Sequence, residues 1–352
     1  MAAASLPASS PAPVRAIRAF LSRFGLIIVL VAMPAVFAVS DLVNEGNLSR
    51  LGENLIDGLS NGSIWALVAI GYTLVYGIIE LINFAHGEVF MIGSFVAVSL
   101  FGTFGLTAAT GVPGLILGLL LSLVISMIAC GTLNTMIEKV GYRPLRSSPR
   151  LAPLITAVGF SFILQNVGLL WRGGSPQSIT DLINSQHTLV TILGVPITNG
   201  DLLAVCVTFP LVFLMTTFIA RSRLGKAMRA TAQDPDAARL MGISVDTTIS
   251  LTFLIGGMLA GAAGLIYALF QTTIWYFQGF TAGLIAFTAA VMGGIGNIRG
   301  AVLGGLIIGF IQQISDNRIG TEWTPAIVFA YLVLIMVFRP SGLLGEETRE
   351  AG

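Results

Sequence analysis

Four side chains able to carry charge or hydrogen bonds lie together in an otherwise apolar region. Glu80, Asn83, His86 and Glu88 fall within residues 76–93, YGIIELINFAHGEVFMIG. Such groups are expensive in lipid, and where they occur they mark pathways or cavities. On a continuous helix Glu80, Phe84 and Glu88 would share one face, as would Asn83 and Gly87. Two readings stay open: a short inner loop with its charges in water, or a half-buried, partly broken segment lining a path. A metal site is not expected, because the only histidines are His86 and His187 and no Cys/His cluster has ligand spacing. Asp57 is expected to cap a helix or face water rather than bind an ion.

A second set of signals lies in the polar stretch from Arg221, RSRLGKAMRATAQDPDAARLMGISVDTT. Asp234 suits a helix N-cap, since its carboxylate can accept from free backbone N–H groups. Pro235 suits the first helical position, and Asp236 complements the positive end of the helix dipole. Gly242 suits the left-handed position after the end. The spacing predicts a helix over 235–241. A helix that short is marginal alone in water, so a membrane domain or a separate protein must hold it. The chain has no GxxxxGK[ST] phosphate loop. An intramembrane enzyme would need a nucleophile–base pair or metal set that cannot be assembled here, and no cofactor is expected.

The elements that must position these groups are read from hydropathy. Of 352 residues, 55% are apolar and 10% charged, and the mean hydropathy is +0.89. Soluble domains carry about 25% charged residues, so a soluble enzyme, a disordered chain and a nucleic-acid-binding protein are all excluded. Net charge is +1. A spanning helix needs about 20 mostly apolar residues. Such stretches occur near 24–43, 55–79, 89–110, 113–137, 152–171, 201–220, 247–270, 281–297, 300–316 and 323–338. The eighth and ninth are short and glycine-rich, so they are either true spans or a re-entrant pair. The fold class is all-α and polytopic, with eight or ten spans and glycine-rich broken segments. Either count puts both termini on one side. With both termini inside, 15 of the 18 basic residues face the cytoplasm, leaving Arg50, Arg172 and Arg318 outside.

Residues 1–23 read as a disordered cytoplasmic leader and 346–352 as a cytoplasmic tail. The first span, 24–43, is either a retained helix or a cleaved signal sequence, and its length favours retention. Residues 172–200 form a polar outer segment with Gly173-Gly174 and two Pro-containing turns, either a solvated loop or a docking surface for an outside partner. Gly257 and Gly261, Gly296, Gly300 and Gly304, and Gly305 and Gly309 are spaced for close helix contact. A less favoured reading is that residues 291–300, VMGGIGNIRG, unwind. Cys130 and Cys206 are expected to be small apolar fillers.

Residues 61–95, 142–166, 221–264 and 279–309 resemble the permease of bacterial branched-chain amino-acid ABC importers. INFAHGE and YRPLRSS are the specific elements. The urea-importer permease is a close relative. The similarity runs from about residue 52 to Gly345 and implies a permease domain over 52–345. It further implies an inner-membrane subunit working with a second related permease, two cytoplasmic ATPases and an outside solute-binding protein. Its coupling segment falls on Arg229, Asp234, Ala237, Ala238 and Gly242. Asn83, Phe84, His86 and Glu88 would lie near the path or inner gate. The first span and its leader are additions to the family pattern, and Glu80 stands where a small residue is expected. The solute is a branched-chain amino acid by family default, with urea or a short amide as an alternative. A stand-alone ion-coupled transporter is the rival from another class.

Overall fold

The computed structural model describes residues 31–44, 46–146, 148–149, 151–192 and 194–345. The expected leader, the first part of the expected span at 24–43 and the expected tail lie outside the described residues. Ten apolar helices correspond to the ten stretches. They are α1 (Val31–Asn44), α2 (Ser49–Ile79), α3 (His86–Thr103), α4 (Val112–Ile137), α5 (Leu151–Arg172), α6 (Asn199–Arg221), α9 (Val245–Gln271), α10 (Gln278–Gly293), α11 (Ile298–Arg318) and α12 (Thr324–Phe338). Two polar helices, α7 (Arg223–Gln233) and α8 (Pro235–Leu240), lie between α6 and α9. Among the described residues seven helices are long and apolar enough to cross a membrane, while α1, α10 and α12 are shorter. The chain is an all-α, multi-pass membrane protein.

Contacts between connecting segments sort them onto two sides. On one side, Tyr142 reaches Ile82 and Asn83, Arg143 reaches Asp246, and Leu344 N–H donates to Gly293 O. On the other, residues 177–178 (β1) pair with 273–274 (β4), Asn317 donates to Asn54, and Arg318 meets Asp41. Consecutive apolar helices therefore run in alternate directions, α10 and α11 included. At 1.5 Å per residue α10 is only about 24 Å long. The break between α10 and α11 is narrower than 291–300: only residues 294–297 leave helical geometry, with φ of 107° at Gly294 and 90° at Gly296.

α2 and α9 form the buried centre, while α4, α5 and α6 turn most of their residues outward. Small residues permit this. A Cβ on Gly62 would lie 2.8 Å from Leu306 Cα, and one on Gly305 2.6 Å from Ala66 Cα. Gly261 gives the same close approach of α9 to Ser126 on α4. Without a hydrophobic drive between helices in lipid, this backbone approach supplies the dispersion that holds them. Gly296 is not a packing residue, since nothing lies within 4 Å of its would-be Cβ. Cys130 is buried and Cys206 exposed, so only the first fills space.

The outer segment is more ordered than a turn-rich loop. Residues 188–192 (β2) and 195–198 (β3) form an antiparallel hairpin. Pro196 lies inside β3 rather than in a turn. The capping box of Thr198 and Asp201 then starts α6, and Ser60 on α2 donates to Asp201 at 2.7 Å.

Candidate functional site

The segment 76–93 is broken. α2 ends at Ile79, and Glu80 takes a left-handed conformation, φ 53°, with its N–H donating to Tyr76 O at 2.8 Å. That backbone position favours glycine or another small residue, so Glu80 stands where the resemblance leads one to expect something smaller. Residues 81–85 are not helical, and α3 starts at His86. Glu80 therefore does not share a helix face with Phe84 and Glu88. It is exposed, whereas Asn83, His86 and Glu88 are buried and Phe84 is half-buried.

Each buried group is held differently. Asn83 Nδ2 donates to Asn134 Oδ1 at 3.0 Å, and its Oδ1 accepts from Tyr142 Oη at 3.2 Å. Glu88 lies in the first turn of α3, where a carboxylate complements the helix dipole. Its Oε1 accepts from Ser161 Oγ at 3.3 Å. Among the described residues Glu88 Oε2 has no hydrogen-bond partner, and the imidazole nitrogens of His86 have none of good geometry, the ring only approaching the Val68 backbone. Such atoms are uncommon in protein interiors, and here all three lie beside the same helix break. The His86 ring meets Tyr72 edge-on, centroids 4.8 Å apart. Tyr72 also faces Phe287 at 6.2 Å, and Phe84 faces Phe287 at 6.3 Å. A small cavity beside these rings is lined by Tyr72, Tyr76, Ile82 and Phe287. Asp57 neither caps nor simply faces water: Gln313 Nε2 donates to it at 3.2 Å.

The short helix in the second segment is present as α8. Asp234 Oδ1 accepts from Asp236 N and Ala237 N, both at 2.9 Å. Gly242 has φ 82° and ends it. Ala238 is buried, while Leu240 and Met241 are 90% and 82% exposed. Arg229 lies on α7 rather than α8 and donates from Nη1 to Ile219 O at 2.7 Å, closing the end of α6. Sequence reasoning missed α7 itself, although Ser222 gives it a cap by accepting from Gly225 N at 2.9 Å. It used Arg143 and Arg146 as markers of orientation and as part of YRPLRSS, without assigning them partners; the folded chain pairs them with Glu138 and Asp246. His187 is exposed on the outer side, far in the chain from any second ligand, and no three-residue metal-binding group occurs among the described residues.

Alternating apolar helices, a broken buried segment and a polar helical pair at one face define a membrane transport subunit. Residues 54–337 match the family described as "Branched-chain amino acid transport system / permease component". The high-affinity branched-chain amino acid transport system permease protein BraD of Pseudomonas aeruginosa is 43% identical over 300 residues, covering 85% of this chain and 97% of that protein. The corresponding LivH of Escherichia coli K12 is 42% identical over 303 residues, covering 85% and 96%. One solved structure, PsaBC from Streptococcus pneumoniae in complex with Fab, aligns at 12% identity and a TM-score of 0.42 over 86% of this chain and 95% of its own. The chain belongs to the family of permease components of branched-chain amino-acid transport systems. It is a transport subunit rather than an enzyme. Residues 1–53, which include α1, precede the matched region.

Proposed function

We propose that this chain is the translocation subunit of an ATP-driven ABC importer for branched-chain, hydrophobic amino acids. One feature carries the reading: the α7–α8 pair, which presents Leu240 and Met241 outward beside a rigidly capped turn. A transporter working alone has no use for an exposed apolar helix tip there, whereas a permease driven by a separate motor needs one. In this reading the partners are a second related permease, two cytoplasmic ATPases and an outside solute-binding protein. Arg229, Asp234, Ala237, Ala238 and Gly242 form or support the ATPase contact. Both termini are cytoplasmic, the membrane is the bacterial inner membrane, and α1 is a retained helix ahead of the 52–345 domain.

Closure of the ATPases would push on α8 and shift the bundle between outward and inward access. The ATPases supply the differential free energy such a switch requires. In this reading Asn83, Phe84, His86 and Glu88 lie near the path or inner gate, and the hydrogen bonds of Asn83 to Asn134 and Tyr142 support the break that carries them. The rival reading, an ion-coupled transporter, draws its support from the ionisable groups at 80–88, of which His86 and Glu88 are buried, and from the glycine break at 294–297.

Mild-detergent purification from native membranes tests the choice. Recovery of a second permease and P-loop ATPases, with vanadate-sensitive uptake of leucine, isoleucine or valine, is the expected result. Recovery of this chain alone, with uptake in vesicles that needs a proton gradient and no ATP, would replace it with the rival. Uptake of urea with no competition by leucine would move the solute to the amide class. The double variant Gly242→Pro/Asp234→Ala checks the contact: proline cannot adopt φ 82°, so ATPase association and uptake should both fall sharply.

A further inference from the structure

The turn between α8 and α9 is stapled. Gly242 N–H donates to Arg239 O and Ile243 N–H to Ala238 O, both at 3.0 Å. This is the Schellman arrangement, and it ties α8 to the start of α9. Asp246, the second residue of α9, accepts from Arg143 Nη2 at 2.7 Å and from Arg146 Nη1 at 2.5 Å. Arg146 Nη2 also donates to Glu138 Oε1. Glu138 is fully buried, and its other oxygen accepts from Ser250 Oγ at 2.6 Å. Asp246 and Ser250 are four residues apart and share a helix face. The first turns of α9 are therefore fastened at two points to Glu138.

Glu138 begins a π-helical turn, Glu138–Tyr142, at the end of α4. Such turns are rare and concentrate at functional sites. At its far end Tyr142 Oη lies 3.2 Å from Asn83 Oδ1 and 3.3 Å from Ile82 O, inside the α2–α3 break. Asn83 donates to Asn134, and Asn134 Nδ2 donates to Phe253 O at 2.7 Å, back on α9. Glu138 is buried but Arg143 and Asp246 are about half exposed, and such partly exposed ion pairs add little to the stability of the helix contact. What they add is a directional link with a defined geometry.

We infer that Glu138, Arg146 and Asp246 are positioning residues for transport, passing movement of α8 through the Glu138–Tyr142 turn to Asn83 in the α2–α3 break. The inference rests on the importer reading above. Its competitor is direct packing of α9 on α2 and α3, which would carry the same movement without these charges.

The full chain, assembled with its second permease and ATPases in proteoliposomes and supplied with loaded solute-binding protein, separates the two. Solute taken up per ATP hydrolysed is measured alongside complex yield. Glu138→Gln/Arg146→Gln should still assemble and hydrolyse ATP, with uptake per ATP down about tenfold, a typical coupling effect. Tyr142→Phe should lower the ratio in the same direction, and adding it to the double variant should lower it no further. Wild-type ratios in these variants would overturn the inference in favour of direct packing. If the double variant does not assemble, Tyr142→Phe decides alone: it removes one hydroxyl and keeps the ring against Phe253, 5.4 Å away. An unaltered complex that takes up solute without ATP overturns the importer reading and this inference together. ATP-coupled uptake in the wild type, with the same uptake per ATP in every variant, overturns the inference only.

Discussion

The His86 ring is tightly enclosed by backbone. A Cβ added to Gly71 would meet its Cε1 at 2.7 Å and Gly256 O at 3.1 Å. Gly71→Ala must therefore push the imidazole or separate α2 from α9. Overpacking of this kind costs about 1–3 kcal/mol, to be read as a lower thermal midpoint in detergent together with reduced uptake. His86→Leu distinguishes packing from chemistry: it should fold and lose uptake if the polar ring matters, whereas full uptake would make burial its whole role. These residues stand out in the sequence because charge inside an apolar stretch is conspicuous. Their partners do not. Ser161, Tyr142 and Asn134 lie on other segments, and no local pattern ties them to Glu88 or Asn83.

Helix ends were legible where the stop and start signals are local. Asp234, Pro235 and Gly242 specify α8 by capping chemistry alone, and the folded helix ends one residue earlier than the spacing predicts. α7 was missed for the opposite reason. Beyond the local Ser222 cap, its stability comes from burying Met228 and Thr231 and from Arg229 gripping the end of α6, which are tertiary. The hairpin at 188–198 also escaped, because strand pairing depends on a partner outside the window being read. Asp234→Ala tests the local account. Loss of an N-cap costs about 0.5–2 kcal/mol, which leaves α8 with its C-terminal turn and the buried Ala238. Amide hydrogen exchange should speed up across 235–240 and stay unchanged across the buried middle of α9. Equal acceleration in both would mean that α8 and α9 unfold as one unit.

At the scale of the whole molecule, the family match begins at residue 54, yet α1 is fastened to the matched region by charge. Arg318 Nη2 donates to Asp41 at 2.7 Å, and its guanidinium lies over the Phe37 ring, 5.6 Å from the centroid. Asp41 is 1% exposed. The pair sits at the end of α11, whose small residues Gly305 and Gly309 bring it against α2. Removing α1 entirely would return Arg318 to the aqueous edge and leave the α2–α11 contact intact. Removing only the carboxylate would leave α1 in place over an unpaired guanidinium, which costs about 3–5 kcal/mol. Asp41→Ala in the full chain should therefore lower the thermal midpoint more than deletion of residues 1–45 does. Asp41→Leu/Arg318→Met should recover most of the loss, since apolar side chains can replace a buried pair at little net cost. The reverse order, with the deletion more damaging than Asp41→Ala, would show that α1 contributes through its apolar face and that the ion pair only sets its register.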